Sequence, residues 1–407
     1  MTASSRPPVP LLFLVGDNGG GHRSAANAVA QALDRLWPGR FAPVICDPLL
    51  GPDAPRRLRW LVGIYGPMIR WCPWVWGVLW RVYGSPATLG WLWRTFLAPA
   101  CTTVARAVAA SQPAMIVAFH PMTTEPAVRA RDGAGGRPPV ITVITDLITA
   151  HLAWRNPAVD HVIAPSAAMA GSLPRQGLPE ERVSQIGLPV AAEFCRAPLR
   201  TPQRRALRRS LGQRGRFLVV VTGGAEGSGG MYRRAVAILK RVEGVDVAVI
   251  CGRNRLLARR LARLAARIPG TRLTVHGYVD NMADWLRSAD IVVGKAGPGT
   301  IAEALCCGTP LILTSRVPGQ EEGNAEFVVA AGAGSHAPRP RQLAAEVARL
   351  RRDPAALARM RAAAARAGRP RAAADIAHLI ADVASDTIRG GCAFRPDAEL
   401  AQLDAGR

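Results

Sequence analysis

Short apolar runs separated by longer polar or amphipathic segments recur along this chain and predict alternating strands and helices. The runs that fit buried strands are residues 9–15, 140–145, 216–222, 245–251, 273–275, 291–293 and 310–314. Segments with helical spacing, such as residues 25–36 and 231–242, lie between them. This alternation is typical of a doubly wound α/β sheet, in which ligands bind where parallel strands end. The loops that follow the strands are therefore the places to look for chemistry.

Three loops that follow predicted strands are rich in glycine. They are residues 16–24 (GDNGGGHRS), 223–230 (GGAEGSGG) and 294–300 (GKAGPGT). A helix that opens on glycines presents free N–H groups and the positive end of its dipole, and both favour a phosphate. The loops do not fit the GxGxxG pattern cleanly, and no Gly-Lys-Ser/Thr sequence of a P-loop is present. Dinucleotide-binding enzymes and P-loop NTPases are therefore disfavoured.

The third loop and the residues after it carry the most specific signal. Thr300 can satisfy free amides in the first turn of the next helix, and Glu303 lies about one turn further on. A carboxylate at that place can accept hydrogen bonds from a ribose diol beside a phosphate. Gln320, Glu321 and Asn324 follow the next strand and carry groups suited to sugar hydroxyls. A nucleotide-sugar site is indicated; an ordinary βαβ unit with a tight turn is the alternative.

The first loop ends on a histidine. Three consecutive glycines precede His22, which places an imidazole at the start of a helix. The positive end of the helix dipole lowers the pKa of such a group and favours the neutral form, which a general base needs. The alternative is that His22 only caps the helix or binds a ligand phosphate.

Ten short motifs, in order over about residues 10–335, resemble those of the monogalactosyldiacylglycerol synthases and their bacterial relatives, the diacylglycerol glycosyltransferases. More distantly, they are similar to the transferase that adds N-acetylglucosamine during peptidoglycan precursor synthesis. The motifs are residues 16–24, 119–126, 145–154, 160–166, 187–190, 223–230, 250–254, 276–282, 295–305 and 319–324. The resemblance implies the GT-B fold, with two Rossmann-like doubly wound domains facing a cleft, and sugar transfer without a cofactor or metal.

The resemblance also implies roles for the matching residues. The UDP-sugar site would comprise Gly223, Gly224, Gly227, Arg253, Gly297, Gly299 and Thr300 at the diphosphate, Gly277, Tyr278 and Val279 at the uracil, Glu303 at the ribose, and Gln320, Glu321 and Asn324 at the sugar. The acceptor side would have His22 as the base or its orienting partner, Asp146 and His151 as further catalytic candidates, and Gly20 and Gly21 beside the acceptor. Ala225 stands where the family usually has one more glycine, a mild departure.

Residues 59–96 contain seven of the ten tryptophans. Pro67 and Pro73 predict that this segment is broken into short helices. Its longest charge-free stretch, residues 82–93, is too short to span a bilayer. Tryptophan and arginine in short amphipathic pieces are typical of a membrane interface, so we expect docking on an anionic surface; a buried helical subdomain is the alternative. The expected docking residues are Arg70, Trp71, Trp74, Trp76, Trp80 and Arg81.

The length of 407 residues predicts two domains. We place an acceptor-binding domain at residues 1–195, a UDP-sugar-binding domain at 196–388, a linker at about 192–216 and a loose tail at 389–407. In the resembled fold the last helix usually crosses back to the first domain. The eight cysteines are scattered without metal spacing, and the first residues lack the features of a signal peptide, so a cytosolic interior is expected.

The formal net charge of +23 also suits nucleic acid, which is the main alternative from another class. The basic residues are dispersed and no nucleic-acid-binding motif appears, so we expect no specific nucleic-acid partner. A UDP-sugar 2-epimerase of the same fold is the second alternative, but it would not need the tryptophan-rich segment. We therefore predict a peripheral enzyme on the cytoplasmic face of the cell membrane, of the 1,2-diacylglycerol 3-glycosyltransferase type. It would move a hexose from UDP-galactose or UDP-glucose to diacylglycerol with inversion.

Overall fold

The computed structural model describes residues 7–17, 20–135, 137–213, 217–268 and 272–388, without the side chains of Arg70 and Ile388. The predicted tail at 389–407 and the predicted role of the Arg70 side chain therefore lie outside the described residues. The described chain forms two compact units. The first unit takes its residues from 1–64, 81–191 and 371–407, and the second from 65–80 and 192–370.

Each unit contains a parallel sheet that, in the described part of the chain, has six strands. The first sheet has the order β2-β1-β3-β4-β5-β6 and the second the order β12-β11-β10-β7-β8-β9. The strands are β1 (Val9–Leu14), β2 (Phe41–Cys46), β3 (Met115–Ala118), β4 (Val140–Val143), β5 (His161–Ala164), β6 (Val183–Gln185), β7 (Phe217–Thr222), β8 (Val245–Ile250), β9 (Leu273–His276), β10 (Ile291–Lys295), β11 (Leu311–Ser315) and β12 (Gly334–His336).

Helices connect the strands of both sheets. They are α1 (Gly21–Leu36), α2 (Arg56–Gly63), α3 (Tyr65–Trp71), α4 (Pro73–Val82), α5 (Pro86–Thr95), α6 (Ala98–Ser111), α7 (Pro121–Gly133), α8 (Ala167–Ser172), α9 (Thr201–Ser210), α10 (Met231–Arg241), α11 (Arg255–Ala265), α12 (Met282–Ser288), α13 (Pro298–Cys306), α14 (Asn324–Ala330), α15 (Pro340–Arg352), α16 (Pro354–Ala367) and α17 (Ala372–Ile388). The predicted alternation of strands and helices is confirmed.

The central strands are apolar because both of their faces are covered. Every residue of β3, β4, β5 and β8 is buried, as expected for parallel strands between two helical layers. In each sheet the strand order reverses once, between β1 and β3 in the first unit and between β7 and β10 in the second. Such a reversal opens a crevice at the carboxyl ends of the two strands, and ligands bind there in folds of this class. The glycine loops found in the sequence follow β1 and β7 and overlap the end of β10, which extends to Lys295 where the sequence predicted its end at residue 293.

The last helix, α17, belongs to the first unit. Ile376 and Ile380 are fully buried in the core that also contains Phe13 of β1 and Val29 of α1. This is the return to the first domain that the family resemblance implied. The apolar positions of α17 are small or branched at helical spacing, so one face of the helix closes the core.

The segment predicted as a linker contains α9 and packs on the second unit. Arg208 is buried, and its guanidinium lies 2.7 Å from the Asp290 carboxylate and donates from Nε to the Ser288 carbonyl at 2.7 Å. The arginine-rich composition of this segment therefore serves in part to make specific buried contacts. Solvated helix faces account for other members of the same run, such as Arg205 and Arg209, which are exposed.

The tryptophan-rich segment is divided into short helices, as its prolines predict. Pro73 and Pro86 begin α4 and α5, because proline suits a first helical turn and cannot continue the preceding helix. Within the described residues, no helix has both the length and the apolar character needed to cross a membrane.

Candidate active site

The two glycine loops of the second unit meet at the strand-order reversal between β7 and β10. Positive φ angles of +57° at Gly227 and +89° at Gly229 require residues without a side chain in the loop after β7. A Cβ added to Gly223 would lie 2.8 Å from the Met231 sulfur, so this loop is folded tightly against the start of α10. By contrast, a Cβ at Gly299 would have open space around it, which leaves the first turn of α13 accessible.

Lys295 lies between these loops, and sequence reasoning gave it no role. It is the last residue of β10, at a shift in the register of pairing with β11. Its ammonium group forms an ion pair with the nearly buried Glu321, whose residue is 2% exposed. A Cβ added to Gly297 would lie 3.1 Å from the Lys295 Nζ, and one at Gly229 would lie 3.5 Å from the Lys295 Cβ. Lys295 therefore places a cation beside both loops. The sequence feature that could have identified it is its position at the start of the 295–305 motif.

Arg234 holds the same loops together and was also missed. Its guanidinium donates to the carbonyl oxygens of Gly229 and Thr314, the latter at 2.8 Å. These carbonyls belong to the loop after β7 and to the end of β11, so one side chain fixes both. Burial lowers the pKa of Arg234 from its usual range. The residue supports the loops from inside the unit.

Arg253 and Tyr278 lie together at the exposed end of the second sheet. The Arg253 guanidinium is 5.7 Å from the centre of the Tyr278 ring and 3.4 Å from the Glu226 carboxylate. Tyr278 is 60% exposed and follows β9, beside Gly277 and Val279. An exposed aromatic ring at the end of a strand can stack on a planar base.

Glu303 lies in α13, beyond the open turn at Gly299. Burial, and secondly the charge of Glu193, raise the pKa of its carboxyl to about 8. Much of the population of Glu303 side chains is therefore protonated at neutral pH. Thr300 lies in the first turn of the same helix, which presents its N–H groups at the loop.

The residues predicted to contact the sugar are placed in different environments. Gln320 is half-buried and accepts a hydrogen bond from the Tyr65 hydroxyl at 2.9 Å. The Glu321 carboxylate accepts from the Val317 amide at 2.8 Å, in addition to its pair with Lys295. Asn324 is fully buried and donates from Nδ2 to the Ala296 carbonyl at 2.8 Å. In this structure Asn324 therefore supports the turn at Ala296, and Gln320 is the more accessible of the three.

The acceptor-side candidates lie at the strand-order reversal of the first unit. His22 is in the first turn of α1, with Nδ1 2.9 Å from the Phe119 carbonyl oxygen and 2.7 Å from the Thr145 hydroxyl. Burial lowers the pKa of His22 to about 4, despite the opposing effects of that carbonyl and of Asp17. Its ring meets that of His120 edge to face at 4.4 Å. The imidazole is therefore neutral at physiological pH.

His151 and Asp146 follow β4 at the same end of the sheet. The His151 Nδ1 accepts from the Ala153 amide at 3.1 Å, and burial lowers the pKa of His151 to about 4. The Asp146 carboxylate accepts from the Trp154 indole at 2.7 Å. His161 lies apart from this group, at the start of β5, where it contacts Ser184 at 2.8 Å.

His120 joins the group and was given no role from the sequence. Burial first, and then the charges that His22 and His151 would carry, hold the pKa of His120 well below its usual value. A Cβ added to Gly16 would lie 2.8 Å from the His120 ring, so the loop after β1 needs glycine there. Gly20 has φ of +83°, and Gly21 has open space where a side chain would be. The first turn of α1 is therefore accessible beside the histidines.

The predicted docking residues separate into two groups. Trp71 and Trp74 are 70% and 69% exposed, and Arg81 is also exposed. Trp76 and Trp80 are half-buried, and their rings pack together at 6.0 Å. Trp71 and Trp74 therefore present most of their aromatic surface to solvent, whereas Trp76 and Trp80 present much less.

Comparisons with known proteins cover both units. The family model for monogalactosyldiacylglycerol (MGDG) synthase matches residues 22–190, and the model for the glycosyltransferase family 28 C-terminal domain matches residues 218–376. Monogalactosyldiacylglycerol synthase 3, chloroplastic, of Arabidopsis thaliana is 32% identical over 360 residues, which cover 83% of this chain and 73% of that protein. The chain belongs to the MGDG synthase family. The predicted family is confirmed.

Other relatives are longer than the matched region. The probable monogalactosyldiacylglycerol synthase, chloroplastic, of Nicotiana tabacum is 33% identical over 359 residues, covering 85% of this chain and 65% of that protein. For monogalactosyldiacylglycerol synthase 1 of Arabidopsis thaliana the shares are 84% and 64%. This member of the MGDG synthase family thus spans just under two thirds of the length of these two relatives.

Solved structures establish the fold of this MGDG synthase family member. MurG of Acinetobacter baumannii has a TM-score of 0.61 at 16% identity, covering 92% of this chain and all of that one. Anabaena HepE in complex with UDP and glucose scores 0.58 at 16% identity, covering 93% of this chain and 100% of that one. A proposed UDP-N-acetylglucosamine 2-epimerase from Listeria monocytogenes scores 0.60 at 13% identity, with shares of 96% and 98%. The predicted two-domain GT-B fold is confirmed.

Proposed function

We propose that this protein is a peripheral membrane glycosyltransferase that moves a hexose, galactose in preference to glucose, from its UDP conjugate to diacylglycerol. Family membership carries the proposal, because a relative matching 83% of the chain is named a monogalactosyldiacylglycerol synthase. The fold alone does not decide the reaction, since the fold neighbours include both MurG and a proposed epimerase. Measurement of the product must therefore distinguish the transferase from the epimerase.

The second unit would bind the donor diphosphate at the reversal between β7 and β10. The open first turn of α13, at Gly297, Gly299 and Thr300, offers N–H groups and a helix dipole to the anion. Lys295 adds a full positive charge, and a phosphate oxygen would compete with Glu321 for its ammonium group. The loop at Gly223, Gly224 and Gly227 would close on the other side. In this proposal Lys295, rather than the exposed Arg253, supplies most of the neutralising charge.

The uridine would extend from the diphosphate toward the end of β9. Tyr278 and its neighbours Gly277 and Val279 would contact the uracil, and Glu303 would accept hydrogen bonds from the ribose hydroxyls. The hexose would face the loop that carries Gln320 and Glu321.

His22 is the best candidate for the base on the acceptor side. Because the Phe119 carbonyl can only accept, the His22 Nδ1 carries the proton and Nε2 carries the lone pair. His120 and His151 have the opposite tautomer, since each accepts at Nδ1 from a backbone amide. Their Nε2 atoms therefore bear protons and cannot act as bases at that nitrogen. Asp146 orients Trp154 in this arrangement.

The reaction would be a single displacement with inversion. The acceptor hydroxyl oxygen forms a bond to the anomeric carbon as the bond from that carbon to the diphosphate breaks. The hydroxyl proton passes to the His22 Nε2, and UDP leaves as the anion stabilised by Lys295 and the α13 amides. We expect no cofactor or metal requirement.

Membrane association would bring the enzyme to its lipid acceptor. Trp71 and Trp74 expose aromatic surface, and arginines elsewhere in residues 59–96 supply positive charge. Tryptophan at headgroup depth, with arginine beside anionic lipid, supports reversible docking. We expect the cytoplasmic face of the cell membrane, and no specific nucleic-acid partner.

The test is transfer of labelled sugar from UDP-galactose and UDP-glucose, with purified protein and anionic liposomes that contain diacylglycerol. A product that partitions into chloroform, requires the liposomes and survives EDTA would support the proposal and name the donor. Liposomes without diacylglycerol are the control. Conversion of the nucleotide sugar without a lipid product would instead favour the epimerase and refute the acceptor assignment.

A further inference from the structure

Three aromatic side chains of α3 and α4 form a cluster in the second unit. Tyr65 meets the Trp76 ring edge to face at 4.8 Å, and Trp76 lies 6.0 Å from Trp80. All three residues are half-buried, unlike Trp71 and Trp74 on the same helices. The tryptophan-rich segment therefore has a packed side in addition to its exposed side.

The aromatic cluster packs against the loop between β11 and α14. A Cβ added to Gly319 would lie 2.5 Å from the Trp80 ring, and Gly319 has φ of +82°, so only glycine suits this contact. At Gly77 of α4, an added Cβ would lie 2.8 Å from the Pro318 ring. Two successive residues of this loop, Pro318 through its ring and Gly319 through its backbone, are thus in close contact with α4.

The Tyr65 hydroxyl adds a directed bond to this packing. It donates to the Gln320 Oε1 at 2.9 Å. This bond, between residues 255 positions apart in the sequence, restrains the Gln320 side chain at one end of its amide and so holds the amide in one place. The next residue, Glu321, is fixed independently by Lys295 and the Val317 amide.

We propose that Tyr65 is a positioning residue for the donor hexose, which it orients through Gln320. This rests on the proposed function, in which the loop at 319–324 faces the sugar. Hexoses such as galactose and glucose differ in the direction of a single hydroxyl, and an amide held in one place can bond that hydroxyl in only one of its two directions. A Gln320 side chain released from Tyr65 can follow the hydroxyl in either direction and loses that distinction. Tyr65 thereby couples the tryptophan-rich segment to donor selection.

The experiment compares Tyr65→Phe with Tyr83→Phe by calorimetric binding of UDP, UDP-galactose and UDP-glucose. The control residue Tyr83 packs against the apolar cluster of the first unit that includes Leu89 and Leu92. Tyr65→Phe should leave the Kd for UDP unchanged. It should raise the Kd for the preferred UDP-hexose by about three- to tenfold, the range for loss of one neutral hydrogen bond. It should also reduce the ratio between the Kd values for the two UDP-hexoses. Tyr83→Phe should change none of the three constants.

A double-mutant cycle with Gln320→Ala tests whether the effect passes through the amide. Tyr65→Phe should have no further effect on UDP-hexose binding once Gln320 is alanine. Three results would each overturn the role of Tyr65. Tyr65→Phe could weaken UDP-hexose binding equally in the wild-type and Gln320→Ala proteins, weaken UDP and UDP-hexose binding equally, or weaken neither. Wild-type protein that fails to bind UDP would instead contradict the proposed function, so the two failures are distinguishable.

Discussion

The two units place opposite chemistry at the same topological position. At the reversal between β1 and β3, the first unit has buried histidines whose pKa values are lowered by desolvation. At the reversal between β7 and β10, the second unit has glycine loops, an open helix start and the Lys295–Glu321 ion pair. The crevice therefore does not dictate the chemistry. Burial keeps a base neutral in the first crevice, whereas an open helix start and a cation prepare the second crevice for an anion.

The largest effect should come from the base in the first unit. His22→Ala should lower kcat about 10²- to 10⁴-fold, the usual range for loss of a positioned proton acceptor. The Kd for UDP should not change, because the second unit would bind the donor. His151→Gln is the matched control, since its proposed tautomer excludes it as a base at Nε2. Equal losses of kcat in the two variants would remove the distinction that we draw between these histidines.

The cation of the second unit should give the next largest effect. Lys295→Met should raise the Kd for UDP about 10- to 150-fold, which corresponds to loss of a charged hydrogen bond of about 1.5–3 kcal/mol. The double variant Lys295→Met/Glu321→Gln avoids leaving a buried carboxylate unpaired and should bind UDP equally weakly. Arg253→Met, at an exposed site, should cost less than the Lys295 change. A larger effect at Arg253, measured by the same calorimetry, would reverse the assignment.

The raised pKa of Glu303 predicts a pH dependence of donor binding. If the ribose hydroxyls donate to its carboxylate, binding below pH 8 must first ionise Glu303. The Kd for UDP should then fall by up to about tenfold per unit as pH rises toward about 8, and level off above it. Glu303→Gln removes this dependence and leaves only the titration of UDP itself. If the Kd for UDP depended on pH in the same way in the wild-type and Glu303→Gln proteins, the assignment of Glu303 to the ribose would be wrong.

The neutral histidines of the first unit predict a smaller effect on stability. In the folded protein the pKa of His151 is about 4, against about 6.5 when unfolded, so the unfolded chain takes up the proton first as pH falls. The contribution to the free energy of unfolding is intact above pH 6.5 and is lost progressively down to about pH 4. Between pH 8 and 5.5, His151→Gln should reduce the loss of unfolding free energy by about 1.4 kcal/mol, measured in urea. If the unfolding free energy changed equally between pH 8 and 5.5 in the wild-type and His151→Gln proteins, His151 would not be a buried neutral histidine.

Local sequence features predicted the parts of the site that depend on local chemistry. The glycine loops were recognisable because positive φ angles and tight turns restrict the residue type, as at Gly227 and Gly229. The breaks in the tryptophan-rich segment followed from proline at Pro73. His22 was found because its loop places it at the start of a helix.

The remaining parts depend on contacts that no local pattern carries. Lys295 lies between two loops only because β10 pairs with β7, which the order of the strands along the chain does not specify. Tyr65 and Gln320 are separated by 255 positions, so their hydrogen bond has no signature in either motif. The tautomer of His22 likewise depends on the Phe119 carbonyl, 97 positions away along the chain. Sequence reasoning therefore found the loops but missed what lies between them.

The return of α17 to the first unit has a consequence for how the protein is made. A ribosome releases β1 and α1 first, yet the face of the core that Ile376 and Ile380 fill is synthesised after the whole second unit has emerged. During synthesis, the apolar surfaces of β1 and α1 therefore stay partly uncovered until α17 emerges, whereas the second unit can already bury its own core. An N-terminal fragment ending near residue 191 should be prone to aggregation, and adding a peptide of residues 371–388 should improve its solubility.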